Sequence, residues 1–101
     1  MIDADFDAMR VVLYYRSEEE NSDKVYRMWA EQENGEWVLK FAYGRRGSTM
    51  REGVKMRGDQ YEVRVMMRDI AVKKIDKGYI GLSDAIECGY LTREEAMLEV
   101  L

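Results

Sequence analysis

The chain has no histidine, no proline and a single cysteine, Cys88, in 101 residues. Without histidine it lacks the commonest metal ligand and the side chain whose ordinary pKa suits general-base work near neutrality, and a Cys–His nucleophile is excluded. One cysteine rules out an internal disulfide and leaves structural zinc without a ligand set, so Cys88 reads as a packing residue or an incidental thiol. No apolar run approaches the roughly 18 residues that a membrane span needs. The first residues carry Asp3, Asp5 and Asp7 where a secretory signal would be basic, which points to a cytoplasmic protein. Carboxylates are plentiful, yet none falls in a calcium-loop pattern, and pairs such as Glu94 and Glu95 read as a solvated helix face. The expectation is a protein with no enzymatic activity, no metal and no cofactor.

What is present belongs to a folded chain: 47% of residues are hydrophobic and 36% charged. The length suits one small domain with a single core. The formal charge of −4 is unevenly spread. Residues 1–23 hold seven acids against two arginines and residues 82–101 hold five against one, whereas residues 24–81 hold thirteen lysines and arginines against eight acids. A basic middle thus lies between acidic ends. The low overall pI argues against a polyanion binder held by long-range charge alone, but it leaves room for a localised basic site.

Hydrophobic periodicity orders the elements. Val11-Val12-Leu13-Tyr14-Tyr15 is a continuous apolar centre, which predicts a strand over Met9–Arg16 buried on both faces. A polar run, Ser17–Lys24, follows. Val25–Gln32 alternates and meets Trp37–Tyr43 across Asn34-Gly35, the strongest short-range hairpin signal. After a turn at Gly44–Gly47, Ser48–Arg57 reads as one more strand, with Gly53 marking a bulge or bend. Asp59 with Glu62 forms a capping box, and the helix it opens runs to Lys77, before Gly78. Val63, Met66, Met67 and Ile70 form one apolar arc of that helix; Tyr61, Val65, Val72 and Ile75 form a second. Leu82–Gly89 and Thr92–Leu101 read as short helices, the latter opened by Thr92 and Glu95 and apolar at Ala96, Met97, Val100 and Leu101. This tail is expected to cover the second arc, unless that arc is a dimer surface.

The segment richest in chemistry is Tyr43-Gly44-Arg45-Arg46-Gly47. Glycine lets a partner approach the backbone, arginine offers a rigid fork suited to phosphate, and an aromatic face can stack on a sugar or base. By itself the segment also fits a plain hairpin with solvated arginines. Arg46, Arg51 and Lys55 join the candidate site on charge and position.

In this order the motifs resemble the WGR domain family. Asn21-Ser22-Asp23-Lys24-Val25-Tyr26 is similar to the family's polar loop and strand entry, Tyr43-Gly44-Arg45-Arg46-Gly47 to its tryptophan-glycine-arginine turn, and Lys73-Lys74-Ile75-Asp76-Lys77-Gly78-Tyr79 to its helix end. The resemblance covers about residues 9–80. It implies a non-catalytic module. In DNA-dependent poly(ADP-ribose) polymerases such a domain sits at the end of a broken DNA strand, with the tryptophan on the terminal sugar and the arginine on the phosphate side and a neighbouring domain. Tyr43 would take the ring's place and Arg45 the guanidinium's, while Asn21 and Lys24 match the loop that approaches the 5′ end. Tyrosine keeps a stacking face with less area, and aromatic stacking is worth about 1–3 kcal/mol per base, so affinity would fall. Small bacterial proteins made mostly of this domain resemble the chain more than the polymerases do.

The expected fold is α+β: a twisted antiparallel β-sheet covered by one main α-helix, with an acidic segment at 1–8, the WGR-like domain at 9–80 and a helical acidic extension at 81–101. The expected function is binding of a nucleic acid, at a DNA end or nick, through Tyr43, Arg45, Lys24, Asn21, Arg46, Arg51 and Lys55. The alternative is a protein-interaction or self-association module, monomer or homodimer, on the same fold. No membrane partner is expected, and the acidic extension could fold over the basic face.

Overall fold

Strands follow one another across a single antiparallel sheet in chain order, and helices come after them. The computed structural model describes residues 4–5 and 9–100. Its elements are β1 (Ala4–Asp5), β2 (Arg10–Ser17), β3 (Ser22–Glu33), β4 (Glu36–Arg45), β5 (Arg51–Gly58), α1 (Gln60–Asp76), α2 (Leu82–Glu87) and α3 (Arg93–Val100). The α+β class is as expected. Of the acidic 1–8 segment, residues 4–5 add a short strand that pairs with Val11 and Arg10; Asp3 and Asp7 lie outside the described residues, as do Leu101 and the side chains of Asp5 and Val100.

Alternation explains how one sheet serves two cores. On β2, Val11 and Leu13 join Tyr26, Met28 and Leu39 beneath Val63, Met67 and Ala71 of α1. Val12 and Tyr14 face the other way with Val25, against Ala85 and Leu91. Side chains of period two therefore make β2 apolar on both faces, as its continuous run demands. Asn34 and Gly35 both adopt positive φ, 53° and 83°, the conformation required of a two-residue hairpin whose twist matches its strands.

Several boundaries differ from expectation. β3 starts at Ser22, paired with Ser17, so only residues 18–21 remain as a loop. β4 continues through Gly44 and Arg45 opposite Val25 and Lys24, and the turn falls at 45–48, closed by Ser48 N–H donating to the Arg45 carbonyl at 3.0 Å. Backbone pairing to a long β3 overrides the glycine signal. β5 accordingly begins at Arg51, not Ser48. The bulge is not at Gly53: the register slips where Leu39 and Lys40 face Met56 and Val54, leaving Lys55 as the extra residue. Gly53 has a different reason, since a Cβ there would stand 2.7 Å from the Phe41 ring lying across it.

Helix α1 has both halves of its capping box, Glu62 N–H to the Asp59 carboxylate at 2.8 Å and Asp59 N–H to the Glu62 carboxylate at 3.1 Å. At its other end, Gly78 N–H donates to Ile75 O and Tyr79 N–H to Lys74 O, at 2.9 and 3.0 Å, a Schellman arrangement that requires the φ of 103° at Gly78. Of the first arc Val63 and Met67 are buried, while Met66 is exposed. The tail does not cover the second arc. Tyr61, Val65 and Val72 are exposed, and Ile75 packs into the core under α1. The chain turns back at Gly78, and Ile80 then pairs with Tyr14 through two backbone bonds of 2.8 Å at the edge of β2. That crossing delivers α2 and α3 to the opposite face of the sheet. No helix among the described residues is long and apolar enough to cross a membrane.

Candidate nucleic-acid interface

Because β4 runs to Arg45, strand alternation assigns each candidate side chain to a face. Register places Tyr15, Lys24 and Arg45 in one cross-strand row and Tyr26, Tyr43 and Arg51 in the next, both on the α1 side. The rings stack along β3 and β4: Tyr26 to Phe41 at 6.3 Å, Tyr26 to Tyr43 at 6.1 Å and Phe41 to Tyr43 at 5.8 Å. The three centroids form a near-equilateral triangle, and Tyr43, at 38% exposed, is its exposed member.

Lysines crowd around these rings. Lys74, in the last turn of α1, holds its ammonium 4.6 Å from the Tyr26 ring and 5.2 Å from the Tyr79 ring. Lys55 lies 4.5 Å from Phe41 and Lys24 lies 5.6 Å from Tyr15. Burial first, then the charges of Lys77, Lys55 and Lys24, hold the Lys74 amine below the usual lysine range. The ring faces favour its charge while burial and the neighbouring cations oppose it. Burial likewise pushes the Tyr79 phenol up.

Two hollows open on this face. One, of about 390 Å³, is lined by Asn21, Lys24, Tyr43, Arg45, Lys74 and Tyr79, among others. The other, of about 400 Å³, is lined by Tyr26, Tyr43, Lys55, Ile70, Lys73, Lys74 and Lys77. Tyr43 and Lys74 line both. Among the described residues Asp23 is the one acid lining either hollow, and its carboxylate is engaged elsewhere, 3.2 Å from Arg46 and 3.6 Å from Arg16.

Of the seven expected residues, Tyr43, Arg45, Lys24, Asn21 and Lys55 line these hollows. Asn21 does so from a positive φ of 51°, and its carbonyl accepts a bond from Arg45 Nη1 at 2.9 Å. Arg51 shares the row of Tyr43 at the start of β5 but lines neither hollow. Arg46 is not brought to the site. One residue beyond Arg45, it turns to the other face, where it binds Asp23, the Tyr90 carbonyl and, at 3.8 Å, Glu95. Arg16 reinforces that knot with a bond to the Tyr90 carbonyl at 3.3 Å and its guanidinium over the Tyr90 ring. The acidic extension therefore meets Arg46, and not the lysine-lined hollows.

Lys73, Lys74, Lys77, Tyr26, Phe41 and Tyr79 belong to the site without having been singled out for it. The signal available was parity: Tyr26, Phe41 and Tyr43 fall on one face once the Asn34-Gly35 hairpin fixes the register. Among the described residues no cluster of three or more histidine, cysteine or acidic side chains could hold a metal ion, and Cys88 is an exposed free thiol.

No protein-family model, curated protein or solved structure matches the chain.

Proposed function

We propose that the protein is a non-catalytic nucleic-acid-binding module of WGR type that receives a DNA end or nick in the hollows beneath the end of α1. The observation that carries this reading is the convergence of Lys24, Arg45, Lys55, Lys73, Lys74 and Lys77 on Tyr43, the exposed member of an aromatic cluster. Cations supply the phosphate contacts and Tyr43 the stacking face, the two elements that single-strand and strand-end binders combine. The test is fluorescence anisotropy with 5′-phosphorylated nicked duplex at low salt. Tyr43→Ala is expected to weaken binding about tenfold, the stacking energy of roughly 1–3 kcal/mol. Undetectable binding of the parent, or an unaltered affinity in the variant, would sink the reading.

Self-association is the second reading, and the exposure of Tyr61 at 76%, Val72 at 46% and Val65 at 41% on α1 favours it. Arg68 and Asp69, both exposed, interrupt that stripe. Light scattering that finds only monomer at high concentration removes it.

A further inference from the structure

The two hollows abut and share Tyr43 and Lys74, yet their cations differ: Arg45 and Lys24 on one side, Lys55, Lys73 and Lys77 on the other. Lysines in the last turn of a helix complement its dipole, which alone accounts for Lys73 and Lys74. It does not account for Lys55. That residue comes from a different element: alternation along β5 puts it on the α1 face with Arg51 and Gly53, where its ammonium lies 4.5 Å from the Phe41 ring and lines the hollow with the helix lysines. There it adds a like charge beside Lys73, Lys74 and Lys77, and no acid among the described residues lines that hollow, an arrangement that makes sense when an anion occupies the second hollow as well.

Building on the nucleic-acid reading, we infer that the hollows are successive subsites of one strand. One phosphate sits at Arg45 and Lys24, the next at Lys55, Lys73 and Lys77, and the nucleotide between them packs on Tyr43. The ligand is then an unpaired phosphodiester strand of at least two nucleotides, which a terminal phosphate or a free nucleotide does not replace. A strand frayed at a duplex end presents this ligand.

Isothermal titration calorimetry across a salt series tests it, with thymidine 5′-monophosphate, a nucleoside triphosphate, a 5′-phosphorylated oligothymidylate tetramer and its oligouridylate counterpart. The tetramer of either sugar should bind at least about tenfold more tightly than the mononucleotide; which sugar binds better separates DNA from RNA as the source of the strand. Each lost phosphate contact lowers the slope of log Kobs against log salt by about 0.7 for a single strand, so Lys55→Ala with Lys77→Ala should lower it by about that much, and Arg45→Ala by about as much again. Lys55 and Lys77 are exposed, so folding of these variants is not in question. Equal affinity for mononucleotide or triphosphate and tetramer overturns the inference, as does an unchanged slope in the double variant. Binding of nicked duplex without the tetramer also overturns it and leaves the nucleic-acid reading intact, whereas no binding of any probe removes both.

Discussion

Replacing Arg45 by alanine removes an exposed guanidinium whose bond to the Asn21 carbonyl ties down a surface loop, so stability should change by no more than about 0.5 kcal/mol. Arg46, its neighbour, bridges Asp23 to Glu95 and the Tyr90 carbonyl, and its loss should cost about 1–2 kcal/mol because charged partners on two elements lose their donor. Nucleic-acid affinity should move oppositely, about tenfold down in Arg45→Ala and within about twofold of the parent in Arg46→Ala. Urea melts and anisotropy on the two variants check this, and equal effects in both assays would refute the facial assignment. Tyr26 offers a pH readout. Burial, then Tyr43 and Tyr79, push its phenol up to about 12, while an unfolded tyrosine ionises near 10. The fold keeps the proton that the unfolded chain gives up, so this contribution is complete below pH 10 and is lost as pH rises from 10 through 12. Urea midpoints of the parent should fall across that window more steeply than those of Tyr26→Phe.

At the scale of elements, the turn after α1 does the most to shape the site. Gly78 stands at φ 103°, and a Cβ there would lie 3.2 Å from the Tyr15 ring. Gly78→Ala should therefore cost about 1–3 kcal/mol, a drop in Tm of roughly 4–8 °C per kcal/mol, and should weaken binding by displacing Tyr79 from Lys74. A thermal melt within 2 °C or so of the parent would contradict this. Such termini were legible in the sequence because they rest on local chemistry: Asp59 with Glu62, Thr92 with Glu95 and Asn34-Gly35 all appear where their spacing puts them. Less legible was whatever depends on pairing. The glycines beside Arg45 and Arg46 suggest a turn, but β3 extends far enough to hold Gly44 and Arg45 in the ladder, and that extension decides which arginine faces α1. The bulge at Lys55, which sets Met56 opposite Leu39 on the core side, depends on the β4–β5 register, which no window of sequence contains. The side on which the tail lies is set by one crossing at Ile80, a bridge between residues far apart in the chain.

At the scale of the molecule, the uneven charge of the sequence becomes a division between faces. The lysine-lined hollows open on the α1 side, while α2 and α3 bring Asp84, Glu87, Glu94 and Glu95 to the other. The sheet between them is about as thick as one packed layer, roughly 10 Å, and the molecule spans 42 × 25 × 24 Å. At 0.15 M ionic strength charges are screened over about 8 Å, less than that layer, whereas at 0.01 M the length is about 30 Å and exceeds the two shorter dimensions. The acidic extension should therefore repel a polyanion only at low salt. Exchanging Glu87 and Glu94 for glutamine is expected to raise nucleic-acid affinity about two- to threefold at 10 mM salt and by less than about 1.5-fold at 150 mM. A gain of equal size at both salts would place these carboxylates beside the bound strand, and so would contradict a tail held on the far face by Tyr90, Arg16 and Arg46.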